Sequence, residues 1–389
     1  MKTISVSVFL LAVNLVVPES VLAQASGDPT NLLTGSLGIH DPSAVIKDGN
    51  TYYIYATGGG WKTSTDRMNW TAGSRVFSSN PAWWATQILA PDTPQLWAGD
   101  ISYWNGIYYF YYSVSAWNNF HSCIGLATNT TLNPSSTNYR WVDKGVVIDS
   151  TRGALLGGNR VNVIDPCLFQ DPVSGKKYLN FGSYQGGVRQ VEIDPATGLM
   201  VNAANPQLTK ITNALGEGSF LFYANGYYYY VVSRGGCCNG MSSTYQTVYG
   251  RSTTVGGPYT TQAGTSFLNN AYTVLLMRDF ATDGSVLHAG MGGESFFTDH
   301  DTLFMSYHAY TAPSGNSLLN IKPVYRTGTN WLTLIPSQGT VITIPSTPIR
   351  PLTFGKPQIK AGRALLFGDG RVGLSAGRFF SLSGKSMRE

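Results

Sequence analysis

Three carboxylates stand at the entrance to short apolar runs in separate parts of the chain: Asp41 in His40-Asp41-Pro42-Ser43, Asp165 in Asn162-Val163-Ile164-Asp165-Pro166, and Glu217 in Gly216-Glu217-Gly218-Ser219-Phe220. Acids presented alike from distant places suggest one shared site. Hydrolysis of a glycosidic bond needs a proton for the leaving oxygen and an activated water or a nucleophile, and two carboxyl groups with separated pKa values supply both. A third carboxylate near the acid raises its pKa by like-charge repulsion and keeps it protonated near neutrality. By themselves, the same residues are equally compatible with cation binding or with capping of strands and turns.

The elements that would position these acids follow from a degenerate repeat. Each unit starts with a carboxylate at an apolar strand, turns, and returns as an aromatic strand. The acids are Asp41, Asp100, Asp165, Glu217 and Glu294; the returns include Thr51-Tyr-Tyr-Ile-Tyr55, Ile107-Tyr-Tyr-Phe-Tyr-Tyr112 and Tyr227-Tyr-Tyr-Tyr230. Four of the five turns carry an Asp-Gly, Asn-Gly or Ser-Gly pair, the residues that supply a hairpin with positive φ. The spacing of roughly 50 to 75 residues accommodates a four-stranded antiparallel sheet with its loops. The expected fold is therefore all-β, a five-bladed β-propeller whose first strands bring five carboxylates to the mouth of one axial cleft. A β-sandwich with aromatic hairpins is the competing architecture, but it gives no reason for an acid at the same phase of every unit.

Composition agrees with this layout. The 389 residues include 23 Tyr, 17 Phe, 9 Trp and 44 Gly, with only 12% charged, which favours strands and tight turns. Lys2, the apolar run Val6 to Val17 and the small-residue pattern Val21-Leu22-Ala23 predict a secretory signal over 1–23. The sequons at Asn69 and Asn129 fit an exported glycoprotein. The formal net charge of +5 resides in the tail, where seven Lys or Arg from Pro351 onward face Asp369 and Glu389. Lys2 and Glu19 cancel, so 24–350, the expected catalytic domain, is formally neutral. This excludes a phosphate-binding footprint and suits an uncharged sugar; neither nucleic acid nor membrane is an expected partner. The Gly-rich basic extension 351–389 fits no blade and is expected to be less ordered than the body. Cys123 and Cys167 are open to pairing or to burial as thiols, and adjacent Cys237 and Cys238 to a disulfide or two thiols.

Taken together, His40-Asp41-Pro42-Ser43, Leu96-Trp97-Ala98-Gly99-Asp100-Ile101-Ser102, Asn162 to Pro166, Phe181-Gly182-Ser183-Tyr184-Gln185-Gly186-Gly187 and Gly216-Glu217-Gly218 resemble the glycoside hydrolase family 43 pattern, and within it the endo-1,5-α-L-arabinanases. The resemblance runs from about Gly38 to Trp331. It implies that Asp41 is the general base, Glu217 the general acid, and Asp165 the carboxylate that raises the acid's pKa and orients the sugar. Single displacement with inversion follows, with base and acid ~6.5–9.5 Å apart to admit a water. Trp97 and Trp117 would wall a furanose ring, Asn162 and Ser183 would contact substrate, and Asp100 would support the site.

The resemblance also implies an axial calcium ion held largely through water, with His288 as the histidine that serves it. The other histidines, His40, His121, His300 and His308, are expected to be structural or turn residues. Two departures from the pattern stand out: Gly99 replaces a usual Pro, and His288 to Glu294 is shorter than the usual His-containing loop. The expected activity is that of a secreted, monomeric, inverting endo-arabinanase acting on plant cell-wall arabinan. An exo-acting arabinofuranosidase or β-xylosidase and a non-catalytic glycan-binding propeller are the alternatives.

Overall fold

The long aromatic runs show no apolar–polar alternation, and the computed structural model explains why: both faces of these strands are buried. The structure describes residues 32–117, 121–151 and 161–344. The expected signal 1–23 and the extension 351–389 lie outside them.

Five antiparallel sheets follow one another along the chain. Blade I is built from Ile46–Asp48, Thr51–Tyr55, Gly60–Ser64 and Asn69–Arg75, and blade II from Gln95–Trp104, Ile107–Ser115, Cys123–Asn129 and Val142–Asp149. Blade III comprises Cys167–Gln170, Lys177–Phe181, Arg189–Ile193 and Leu208–Lys210; blade IV comprises Glu217–Ala224, Tyr227–Arg234, Gln246–Ser252 and Thr273–Leu276. Blade V contains Asp279–Phe280, Val286–Asp299, Thr302–Thr311 and Asn316–Pro323. The only α-helix among the described residues is the single turn Trp84–Gln87.

Side chains on each second strand alternate between two neighbouring blades. Tyr108, Phe110 and Tyr112 pack with Tyr53 and Tyr55 of blade I, whereas Tyr109 and Tyr111 pack with Leu168, Leu179 and Phe181 of blade III. Likewise Tyr228 and Tyr230 join Phe169 on one side, and Tyr229 joins Phe296 and Met305 on the other. The period-2 pleat thus feeds five wedge-shaped cores, one between each pair of adjacent blades.

The predicted hairpin turns are present at Asn105-Gly106 and Asn225-Gly226, each with both residues at positive φ. The fifth turn, without glycine, places His300 and Asp301 in the same conformation. A small sheet of Tyr325–Arg326, Leu332–Thr333 and Thr340–Val341, absent from the repeat reading, packs on the core between blades IV and V. Asn69 of the first sequon is exposed, whereas Asn129 of the second is buried at 3% exposure.

The ring is closed by the N-terminal segment. Ile39 N–H donates to Ser317 O at 3.1 Å and Leu319 N–H to Leu37 O at 2.9 Å, making this segment the outer partner of blade V. Thr34–Gly35 also runs parallel to Asn69–Arg75 of blade I. Leu33, Ile39, Leu319, Ile321 and Trp70 are buried together in the seam. Leu319→Ala should therefore lower stability by about 2–5 kcal/mol in chemical denaturation, against a change within about 0.5 kcal/mol for exposed Val173→Ala.

Candidate active site

Every inner strand enters the axis through a residue in the left-handed region: Asp41 (φ 48°), Ala98 (29°), Asp165 (57°), Gly218 (58°) and Gly293 (57°). In blades II, IV and V the ladder register shifts across this point, from Trp97 to Asp100, Glu217 to Phe220 and Gly292 to Ser295. These bulges bend the strand and re-aim its side chains. Their N–H groups are satisfied by the preceding blade. Ala98 donates to Thr57 Oγ1 at 3.0 Å, Asp165 to Ser113 Oγ at 2.8 Å, Gly293 to Ser233 Oγ at 2.8 Å and Asp41 to His308 Nδ1 at 3.2 Å. Gly218 instead donates to the Asp165 carboxylate at 2.8 Å.

A cavity of about 300 Å³ opens over these entrances. Its lining includes Asp41, Asp165 and Glu217, with Trp97, Trp117 and Asn162. The two tryptophan rings lie 5.3 Å apart at 52°, forming an apolar wall. Ser183 is fully buried beneath, accepting from Asn162 Nδ2 at 3.3 Å and donating to Gln185 Oε1 at 2.8 Å, so it orients Asn162. Cys237 and Cys238 are joined in a disulfide that also lines this cavity.

The three acids occupy different electrostatic settings. Burial opposes ionisation of Asp41, but His40 and His308, with the Thr57 hydroxyl, outweigh it and hold its pKa well below the usual carboxylate range. His40 Nδ1 lies 2.8 Å and Thr57 Oγ1 2.6 Å from Asp41 Oδ2. Burial also disfavours charge on His40, yet the Asp41 charge and hydrogen bond, with Glu217 beyond, raise its pKa. His308 is driven the other way, to about 3, by burial and by the neighbouring His40. It is therefore neutral, and the bond from Asp41 N–H makes Nδ1 the unprotonated nitrogen.

Burial raises the pKa of both Asp165 and Glu217; the charges of Glu217 and Asp41 add to the rise at Asp165, and that of Asp41 adds to it at Glu217. For Glu217 the Tyr245 hydroxyl, which donates to Oε1, partly offsets the rise; for Asp165 the Gly218 N–H does. Asp41 is thus held toward its ionised form while Asp165 and Glu217 are pushed toward protonation, the kind of separation that acid–base hydrolysis requires.

Below lies a smaller, water-sized cavity of about 40 Å³, lined by residues including Asp100, Ser219 and Glu294. Asp100 belongs here rather than in the upper cavity, and Leu168 N–H donates to its Oδ2 at 2.9 Å. Burial lifts Asp100 to about 7 and Glu294 to about 8. Glu294 Oε2 accepts from Ser233 Oγ at 2.7 Å and Thr247 Oγ1 at 3.2 Å, while Glu294 Oε1 and Asp100 Oδ1 accept no well-formed hydrogen bond from the described residues.

His288 does not reach the axis. It sits near the start of its strand, opposite Thr311 and Asp279, with Nδ1 2.9 Å from Asp279 Oδ1, and lines neither cavity. The strand arrives at the axis only six residues later, with Glu294. The histidines brought to the acids are His40 and His308, whose rings stack at 4.0 Å. Neither these two nor Tyr245 and Thr57 were identified from sequence as site residues. The one available signal was the placement of His308 in an aromatic return strand at the phase of Ser113 and Ser233.

Residues 35–327 match the sequence profile of Glycosyl hydrolases family 43. An extracellular endo-α-(1->5)-L-arabinanase of Bacillus subtilis is 35% identical over 285 residues, 70% of this chain and 80% of its own. An extracellular exo-α-(1->5)-L-arabinofuranosidase of Cellvibrio japonicus is 34% identical over 301 residues, 73% and 82%. Among solved structures, an α-L-arabinanase of Cellvibrio cellulosa complexed with arabinohexaose superposes with a TM-score of 0.69 at 29% identity, covering 78% of this chain and 98% of that one.

The bond from Asp165 N–H to Ser113 Oγ is the local support of the central carboxylate. Ser113→Ala leaves that buried donor unpaired, so stability in urea should fall by about 1–3 kcal/mol, while Ser135→Ala on an exposed turn serves as the unchanged reference.

Proposed function

Since the chain belongs to glycosyl hydrolase family 43, and is a glycoside hydrolase, we propose that it is a secreted, inverting enzyme that cleaves internal α-1,5-L-arabinofuranosidic bonds of plant cell-wall arabinan. The observation that carries this reading is the convergence of three carboxyls on one tryptophan-walled cavity in opposed settings: Asp41 beside groups that favour its charge, Asp165 and Glu217 buried where charge is disfavoured. Asp41 takes a proton from the attacking water, and Glu217 gives its proton to the departing glycosidic oxygen. Asp165 does not touch the leaving group; its charge keeps Glu217 protonated, and its bond from Gly218 N–H fixes their relative placement. Trp97 and Trp117 hold the furanose ring, and Asn162, oriented by Ser183, bonds its hydroxyls. The two extracellular relatives act on α-1,5 linkages, one named endo and one exo, so exo action is the second reading.

We further propose that the lower cavity holds a calcium ion. The donor set fits: Asp100 and Glu294 each offer an oxygen without a well-formed bond, and the cavity admits water as additional ligands. When bound, the ion supplies a fixed positive charge beneath the carboxylates. His288 has no part in this arrangement.

Incubation with linear arabinan, with products resolved by chromatography, should yield short oligomers; release of single sugars from chain ends alone would establish exo action, and no turnover would overturn the enzyme reading. Glu217→Gln should abolish hydrolysis while oligosaccharide binding persists. In a profile of kcat/KM against pH, Asp41 protonation sets the acid limb and loss of the Glu217 proton the alkaline limb. Asp165→Asn removes a neighbouring negative charge, which lowers the Glu217 pKa, so the alkaline limb should move to lower pH. An unmoved limb would exclude Asp165 as the tuning group.

Chelation should lower Tm and added calcium restore it, by an amount corresponding to about 2.7 kcal/mol at a hundredfold excess over Kd. Glu294→Gln should abolish this response; a response of unchanged size would place the ion elsewhere.

A further inference from the structure

Beside the catalytic cavity lies a second one of about 310 Å³, as large as the first. Thr57 and Trp97 line both, so the two meet at these side chains. No carboxylate lines the second cavity; besides the shared Thr57, Arg75, Asn80 and Gln95 supply its polar side chains, with Phe77, Trp84 and Trp97 as aromatic surface.

Arg75, Asn80 and Gln95 are each oriented by one protein bond. Arg75 Nε donates to Gly58 O at 2.8 Å, Asn80 Nδ2 to Pro94 O at 3.4 Å, and Gln95 Oε1 accepts from Trp97 Nε1 at 3.0 Å. Those bonds leave the Arg75 terminal nitrogens and the Gln95 amide nitrogen as donors and the Asn80 carbonyl oxygen as an acceptor. Donors and acceptors arrayed around aromatic surface, with a single cation and no anion, match a hydroxyl-rich neutral sugar. The shared Thr57 and Trp97 walls make the two cavities contiguous, so that one chain can span both.

We propose that this cavity is a subsite for an arabinofuranosyl unit of the chain whose scissile bond lies in the catalytic cavity, reached across Trp97. The inference rests on the arabinan reading above. Its consequence is length dependence: a chain that spans both cavities gains contacts that a short one lacks. Arg75 and Asn80 take no part in the acid–base machinery, and both are exposed.

The test compares wild type with the double variant Arg75→Ala, Asn80→Ala, using p-nitrophenyl α-L-arabinofuranoside, arabinotriose and arabinohexaose. The variant should raise KM for arabinohexaose about tenfold, equivalent to roughly 1.4 kcal/mol, with kcat and the kinetics of the two shorter substrates unchanged. In the Glu217→Gln background, calorimetry should show the same tenfold loss of arabinohexaose affinity. Equal loss on short and long substrates, or no loss on either, would overturn the subsite while arabinan hydrolysis by the wild type stands. If the wild type processes neither arabinohexaose nor arabinan, the substrate reading fails and the subsite with it.

Discussion

The site depends on a ring of backbone N–H groups that must find partners at the axis. Where an inner strand turns through the left-handed region, its N–H leaves the ladder, and a buried donor cannot remain unpaired. Thr57, Ser113, Ser233 and His308 answer that need from equivalent places at the ends of second strands, each serving the next blade. The same residue that spends its N–H on the neighbour, or one within two positions of it, carries a carboxylate toward the axis. Blade-to-blade attachment and convergence of the acids are thus one device.

The exception in the ring is chemically informative. At Gly218 the donor goes to Asp165 rather than to Ser183, the residue at the corresponding place, whose hydroxyl is occupied by Asn162 and Gln185. Asp165 is thereby tied to the strand that carries Glu217, and the two carboxyls share one buried environment. Asp41, served by His308, Thr57 and His40, lies in a setting that favours its charge. Two environments within one ring separate three similar carboxyls into one whose charge is favoured and two whose charge is opposed.

Much of this was legible from sequence because it is local and periodic. Asn105-Gly106 fixes a hairpin, an unbroken tyrosine run marks a strand buried on both faces, and acids at one phase must converge once the strands are arranged radially. Long-range geometry was not legible. His288 precedes the axial part of its strand by six residues, while His308, on the return strand, comes beside Asp41 only when the ring closes. Tyr245 precedes the third strand of blade IV, and nothing in its neighbours distinguishes it from two dozen other aromatics of the core. Cys123 and Cys167 fall in different wedges, one between blades I and II and one between blades IV and V, so both remain free; Cys237 and Cys238, adjacent on a turn, are paired.

Closure and catalysis meet at one place in the chain. The segment that stitches blade V to blade I ends at Ile39, and His40 and Asp41 follow at once. On the other side of the seam, Ser317 and Leu319 hold the closing segment, and His308 and Tyr310 on the adjacent strand receive Asp41 and His40. The general-base candidate therefore has its N–H and its neighbouring histidine fixed by contacts that exist only in the closed ring. Parting of the seam would take Asp41 from His308 and His40 from Tyr310 together, while Asp165 and Glu217, bonded across blades III and IV, would stay in place. Asp41 is the part of this site most directly coupled to completion of the fold.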